Sequence, residues 1–130
     1  MNEEIRKFNR SVSHAVDGLV YALKHERNFR VEIVIAAVVL FLIFVFKVKN
    51  WEAIVLILMI LGVLVAELTN TVLERVVDML KPKIHPYARL IKDIMAAVVL
   101  LTSVVSAVVG VIIFYPYIRD LIVIFFNGKL

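Results

Sequence analysis

Cysteine is absent from this chain of 130 residues, and glycine, proline and histidine are scarce. Without a thiol, the chain can form no disulfide, no thiolate nucleophile and no cysteine-ligated zinc or iron–sulfur centre. The histidines do not occur at metal-ligand spacing. The glycines stand too far apart for a P-loop or a glycine-rich kinase loop. Any nucleotide site would therefore have to be built from side chains and a metal ion.

Charged residues make up 20% of the chain, whereas 62% of the residues are hydrophobic and the mean hydropathy is +0.95. A soluble domain needs a more polar surface, so we expect an integral membrane protein. Three apolar stretches are candidates for membrane-spanning helices: Val31 to Phe46, Ala53 to about Leu73, and Ile94 to Tyr115. A helix of about 20 residues crosses a hydrocarbon core of about 30 Å. The first stretch follows a charged, periodic segment and lacks a small-residue cleavage site, so we expect a retained span and not a signal peptide.

The predicted fold is one all-α membrane domain over residues 1–130, with a surface helix and three transmembrane helices. Residues 1–25 repeat apolar side chains at helical spacing, which predicts an amphipathic helix in the membrane interface. A soluble helix packed on a protein core is the alternative. Residues 25–32 should form a turn that leads into the first transmembrane helix. The transmembrane helices are expected at about 29–47, 53–80 and 88–115. Pro116 should end the last helix, leaving residues 116–130 as a short apolar tail.

Lysine and arginine are unevenly distributed along the chain. Six precede the first span and five lie between the second and third spans, whereas the first loop and the tail hold two each. By the positive-inside rule, the N-terminus and the second connection face the cytoplasm. Trp51, Tyr115 and Tyr117 then gather at the opposite interface, as an aromatic belt does.

A polar stripe interrupts the second span. Its members are Glu67, Asn70, Thr71, Glu74 and Asp78. At about 100° per residue, all of them lie within about 60° of Glu67 on the helix. A charged side chain at the centre of a bilayer costs roughly 2.5 to 3.5 kcal/mol on insertion scales, so these groups indicate a functional site. If the helix enters the hydrocarbon near Ala53, Glu67 lies about 21 Å in and Glu74 about 31 Å in.

Further polar residues are expected at the same cytoplasmic level: Glu26, Asn28, Arg30, Lys92 and Asp93. Phosphoryl transfer requires carboxylates or amides on Mg²⁺, a cation on the phosphates, and a base for the attacking hydroxyl. Every one of these groups is present. Glu67 lies deeper in the membrane than Glu74 and Asp78. This arrangement would bring a buried lipid hydroxyl to a water-soluble phosphate donor.

Three sequence blocks resemble the bacterial integral-membrane diacylglycerol kinase and undecaprenol kinase family. They are residues 26–30 (ERNFR), residues 67–78 (ELTNTVLERVVD) and residues 85–93 (HPYARLIKD), within a similarity over about residues 15 to 113. The resemblance implies a homotrimer of three-span protomers, a trimeric helical bundle with active sites shared between neighbours. The chain departs from the family pattern at Thr69, Val72, Ile94, Met95 and Ala97.

The resemblance also implies roles for individual residues. Glu67 would be the general base on the lipid hydroxyl, and Glu26 and Glu74 would hold the Mg²⁺ that bridges ATP. Asn70, Lys92 and Asp93 would position the nucleotide and its phosphates. Arg30, Thr71 and Asp78 would support the site.

We therefore predict a lipid kinase of the bacterial cytoplasmic (inner) membrane, with Mg²⁺ as cofactor, ATP as co-substrate and no nucleic-acid partner. The stretch from Gly18 to Arg30 and the His85-Pro86 block favour undecaprenol as acceptor, and diacylglycerol is the alternative. The alternative of another class is a non-enzymatic membrane protein, such as a small cation channel or assembly scaffold. Lys92 argues against a cation path and for a phosphate.

Several of these residues also have purely structural interpretations. Glu26 and Arg30, four residues apart, are spaced for a helix ion pair. Asp93 is placed to pair with Lys92 or Arg89. Asp78 and Arg75 could belong to a solvated helix end. Glu67 and Asn70 could form a buried polar pair that stabilises helix association.

Overall fold

The computed structural model of the chain describes residues 2–79, 86–126 and 128. Within these residues all regular structure is α-helical: α1 (Asn2–His25), α2 (Arg27–Phe46), α3 (Asn50–Met79) and α4 (Pro86–Phe126). The all-α prediction is confirmed. Lys81, Pro82, Lys83 and His85, which the sequence placed in the second connection, lie outside the described residues.

Three of the helices are long and apolar enough to cross a membrane: α2 with 20 residues, α3 with 30 and α4 with 41. At 1.5 Å per residue these helices are about 30, 45 and 62 Å long, against a hydrocarbon core of about 30 Å. The prediction of three helices long and apolar enough to span a membrane is confirmed, and α3 and α4 are long enough to project beyond the core. Large apolar side chains remain exposed along all three helices, as a membrane protein requires.

The junction between α1 and α2 is shorter than the turn over residues 25–32 that the sequence predicted. Only Glu26, in an extended conformation, separates the two helices. The Arg30 guanidinium donates hydrogen bonds to the carbonyls of Leu23 and Lys24, at 3.1 and 3.0 Å. These carbonyls are among the last of α1 and have no partner within the helix. The Arg30 side chain therefore stabilises the junction, and a single residue is enough to connect the two helices.

A hydrophobic cluster joins the three spans where α2 and α3 connect, and we call this the hairpin end. Val48, Leu56, Ile113 and Phe114 are its buried members. The Phe46 ring packs on Phe114, with ring centroids 6.0 Å apart. From the hairpin end, α3 packs against α4 along its length, and the Ser106 hydroxyl donates to the Met59 carbonyl at 3.4 Å.

The predicted helix end at Pro116 is wrong, because α4 continues through this residue to Phe126. A proline inside a helix removes one backbone hydrogen bond and strains the preceding turn. Contacts at the next residue offset this cost. The Tyr117 hydroxyl donates to the buried Glu52 carboxylate at 2.5 Å, and the Tyr117 ring packs 6.2 Å from that of Phe46. The segment expected to be a short tail is therefore helical as far as Phe126.

We expect Tyr117→Phe to lower the thermal unfolding temperature of the detergent-solubilised protein. The substitution keeps the ring contact with Phe46 and removes the hydrogen bond to Glu52, which is only 8% exposed. A buried carboxylate that loses a donor is destabilised. Tyr115→Phe is the matched control, since the Tyr115 side chain is exposed. Equal unfolding temperatures for both variants would contradict a role for this hydrogen bond in holding α4 together.

Candidate active site

The polar stripe of α3 faces the packed side of the bundle. Glu67 is 2% exposed, Asn70 9% and Thr71 7%. Their apolar helix neighbours Val65 and Val72 are 59% and 60% exposed. The helix therefore turns its polar residues inward and its apolar residues outward, the reverse of a soluble helix and the arrangement expected for a site inside a membrane.

Two buried polar atoms of the stripe have no hydrogen-bond partner in the part of the chain that the structure describes. They are Oε2 of Glu67 and Oδ1 of Asn70. The Asn28 side chain interacts with the Glu67 carboxylate, and the Asn70 amide donates to the Glu74 carboxylate at 3.4 Å. An unsatisfied buried polar group costs roughly 1 to 3 kcal/mol. The site thus holds oriented acceptors for a ligand.

Glu26 reaches the same site from the α1–α2 junction, and its charge interacts with that of Glu67. It pairs with Arg75, 49 residues away, at a nitrogen–oxygen distance of 2.6 Å. The guanidinium of Arg75 also lies 5.9 Å from the centre of the Tyr21 ring. The alternative interpretation of Glu26, a helix ion pair with Arg30, is therefore not present, since the Arg30 guanidinium is used at the end of α1.

Lys92 of α4 pairs with Asp78 of α3 at 2.5 Å, at the edge of the site. Both side chains are partly exposed, at 37% for Lys92 and 50% for Asp78. Asp93 is exposed and makes no hydrogen bond or ion pair with another described residue, so neither alternative pairing, with Lys92 or with Arg89, is present there. The structure thus joins Lys92 and Asp78 and leaves the Asp93 carboxylate without a bonded partner among the described residues.

Glu32 of α2 is a polar residue of this region that the sequence analysis missed. Its Oε2 atom is buried and has no hydrogen-bond partner within the described residues, and its charge interacts with that of Glu67. The sequence did contain a signal. Like Glu67, Glu32 is an acid within an otherwise apolar span.

A cavity of about 660 Å³ lies between α2, α3 and α4 and adjoins this site. Glu32 lines it at the end near Glu67, and Phe114 and Ile118 line it near the hairpin end. Nearly all of the remaining lining is apolar. The volume is that of a pocket for one small or medium-sized ligand.

The carboxylates of the site fit a metal ion that arrives with a phosphate ligand better than a resident metal ion. No group of three or more metal-ligating side chains converges within the described residues. Mg²⁺ commonly takes one or two carboxylates, with phosphate oxygens and waters as its other ligands. Glu26 and Glu74, with the free Oδ1 of Asn70, match that requirement in ligand type.

The fold and the site together define a helical membrane protein with a buried acidic site at one end of its spans. The chain belongs to the prokaryotic diacylglycerol kinase family, whose model matches residues 13–114. It is accordingly a kinase. The match ends before Pro116, so the last turns of α4 lie outside the family's common region.

Two curated relatives share most of this chain. It is 34% identical over 113 residues to an undecaprenol kinase of Bacillus subtilis, covering 87% of this chain and 92% of the relative. It is 32% identical over 114 residues to a diacylglycerol kinase of Synechocystis, covering 87% of this chain and 65% of that relative. The family resemblance seen in the sequence blocks is confirmed.

We expect Glu67→Gln to stabilise the protein, although the residue lies in the site. A neutral amide is cheaper to bury than a carboxylate with an unpartnered oxygen, by roughly 1 to 3 kcal/mol. The check is thermal unfolding in detergent, with Glu4→Gln on the exposed face of α1 as the matched control. A lower unfolding temperature for Glu67→Gln would mean that the carboxylate is already fully satisfied.

Proposed function

We propose that this protein transfers the γ-phosphoryl group of Mg-ATP to the hydroxyl of a lipid alcohol, with undecaprenol as the acceptor. The observation that carries the proposal is the Glu67 carboxylate, which is buried among apolar spans and has a free oxygen. The family supplies the kinase chemistry, and its lipid character agrees with a site reached through the membrane.

Glu67 acts as the general base in this proposal. Its free oxygen accepts a hydrogen bond from the acceptor hydroxyl and takes the proton as the hydroxyl oxygen attacks the γ-phosphorus. The new phosphorus–oxygen bond forms while the bond from the γ-phosphorus to the bridging oxygen breaks, and ADP leaves. The Asn28 side chain interacts with the same carboxylate.

The nucleotide binds on the shallower side of the same site. Glu26 and Glu74 hold the Mg²⁺ of Mg-ATP, which supplies charge neutralisation for the phosphates. Asn70 offers its free carbonyl oxygen, Lys92 binds phosphate oxygens and Asp93 positions the nucleotide. Because Glu26 is paired with Arg75, binding through Glu26 requires that ion pair to open.

The membrane arrangement follows from charge and from the exposed apolar surface. The N-terminus and the site face the cytoplasm, since most lysine and arginine residues lie at that end. Helix α1 rests in the interface as an amphipathic helix, a placement supported by its exposed apolar side chains, such as Phe8 (69%) and Val16 (50%). The working unit is a homotrimer in a bacterial cytoplasmic membrane, with each site shared between neighbouring protomers.

Transfer of label from γ-labelled ATP should identify the acceptor. In detergent with Mg²⁺, we expect label in undecaprenol at a higher kcat/KM than in diacylglycerol. Glu67→Gln should lower transfer roughly a hundredfold or more, as loss of a general base does, while Glu4→Gln should leave the rate unchanged. Label in neither lipid would contradict the kinase proposal. A higher kcat/KM for diacylglycerol would mean that diacylglycerol, and not undecaprenol, is the acceptor.

Shared sites can be tested with mixed oligomers. Subunits with Glu67→Gln and subunits with Glu74→Ala should each be inactive alone, and co-assembly should restore part of the activity. Recovery is expected because some sites then receive both wild-type residues from different protomers. Verified mixed oligomers that stay inactive would mean that each protomer holds a complete site.

A further inference from the structure

We infer that Arg75 binds phosphate oxygens of ATP, and that it pairs with Glu26 only while Mg-ATP is absent from the site. This inference rests on the proposed function and adds a second cation to the nucleotide side of the site. By its sequence position, Arg75 belongs to a solvated helix end. In the structure it is bound to a carboxylate of the site.

Arg75 lies at the border of the polar stripe of α3. At about 100° per residue, it is about 80° from Glu67 on the helix, on the same side as Thr71. It directly follows Glu74, one of the two carboxylates proposed to hold Mg²⁺. The side chain of Arg75 is 53% exposed, whereas that of Glu26 is 18% exposed. The guanidinium thus reaches into the site from a water-exposed edge, where a water-soluble ligand has access to it.

The proposed site contains more carboxylates than cations. Glu26, Glu67 and Glu74 lie there, and ATP brings several further negative charges. Mg²⁺ offsets only part of this charge. Among the described residues, the cations that pair with a carboxylate of this region are Arg75 and Lys92. Stable binding of the triphosphate therefore calls for Arg75 as well as Lys92.

The contact with Glu26 places the Arg75 guanidinium within reach of the phosphates. Nη2 of Arg75 is 2.6 Å from Oε1 of Glu26. Neighbouring oxygen ligands of an octahedral Mg²⁺ ion lie roughly 3 Å apart, because each is about 2.0 to 2.1 Å from the metal. A phosphate oxygen that shares Mg²⁺ with Glu26 therefore lies next to the oxygen that Arg75 already contacts. A small shift of the arginine side chain is enough to exchange one for the other.

Tyr21 of α1 keeps the guanidinium at this place when the ion pair opens. The guanidinium carbon of Arg75 lies 5.9 Å from the centre of the Tyr21 ring, within cation–π range. The Tyr21 ring is itself stacked on His25, with ring centroids 4.3 Å apart. Contact with an aromatic ring leaves the N–H donors of the guanidinium available for phosphate oxygens. Metal binding at Glu26 therefore frees these donors, while Arg75 stays beside the site.

The exchange of partners is favourable for this arginine. An ion pair with an arginine this exposed is weak, because solvent screens it. Bonds from a guanidinium to a phosphate are charge-assisted and bidentate, and they are stronger. Since Mg²⁺ binds the Glu26 carboxylate at the same time, neither partner of the ion pair is left without a counter-charge. The Arg75–Glu26 pair thus neutralises the empty site and opens when Mg-ATP binds.

The test measures metal binding and nucleotide binding separately, in the detergent-solubilised wild type and in Arg75→Gln. Mn²⁺ without nucleotide, followed by electron paramagnetic resonance, should bind up to about fivefold more tightly to the variant, since a weak competitor for Glu26 is removed. The magnesium complex of a non-hydrolysable ATP analogue, followed by calorimetry, should bind roughly tenfold more weakly, since a charge-assisted contact with phosphate is lost. These opposite directions distinguish a phosphate-binding residue from a structural one.

Two further variants complete the comparison. Arg75→Lys keeps the positive charge and loses the planar fork, so its nucleotide binding should fall between those of the wild type and Arg75→Gln. If Arg75→Gln loses the oligomer, Arg75→Lys carries the same comparison. Arg6→Gln is the matched control, because Arg6 also pairs with a glutamate, Glu3 at 3.8 Å, but lies about 30 Å from Glu26 along α1. It should change neither binding.

Each contrary outcome assigns a different role to Arg75. Weaker binding of both Mn²⁺ and the nucleotide would mean that Arg75 only holds Glu26 in position, and tighter binding of both would make it only a competitor of the metal. No change in either would place Arg75 outside the site. Any of these results, with wild-type transfer intact, would overturn the inference and leave the proposed function standing. A wild-type protein that phosphorylates neither undecaprenol nor diacylglycerol would overturn the proposed function itself.

Discussion

A carboxylate buried inside an apolar helical bundle is the constraint on which the rest of this structure depends. Glu67 is 2% exposed in a helix whose other face consists of exposed aliphatic side chains. An acid in that position is unfavourable unless other groups are brought to it. Asn28 and Glu26, from the start of α2 and the residue before it, meet the polar stripe of α3 at this level. The site is thus a product of how α2 and α3 pair.

The buried carboxylates at the two ends of the bundle differ in their hydrogen bonding. At the hairpin end, Glu52 accepts from the Tyr117 hydroxyl and from the Lys49 backbone, so its carboxylate is tied to both a loop and α4. At the acidic end, Glu67 keeps one oxygen without a partner in the described part of the chain. A satisfied buried group stabilises one arrangement, whereas an unsatisfied one favours binding of a ligand. The cavity between the spans connects these two ends.

Several features could be predicted from the sequence because they depend on local pattern. The spans follow from runs of apolar residues, and the inward stripe follows from the helical period of α3. The end of α4 could not be predicted in this way. Pro116 does disfavour a helix locally, but contacts of the adjacent Tyr117 with Phe46 and Glu52 outweigh that preference. Glu32 was missed because one acid in a span has no periodic partner in the sequence to mark it.

The sequence by itself determined the class of the protein, its three spans and the acidic stripe, because hydrophobic length and helical period are properties of consecutive residues. Only the tertiary structure decided which charged side chains pair with each other. Glu26 pairs with Arg75, Lys92 pairs with Asp78, and Asp93 has no bonded partner among the described residues. Such pairings depend on the relative depth and rotation of helices that are distant in the chain, which no local pattern specifies. The cavity between the spans has the same origin, since its lining comes from three different helices.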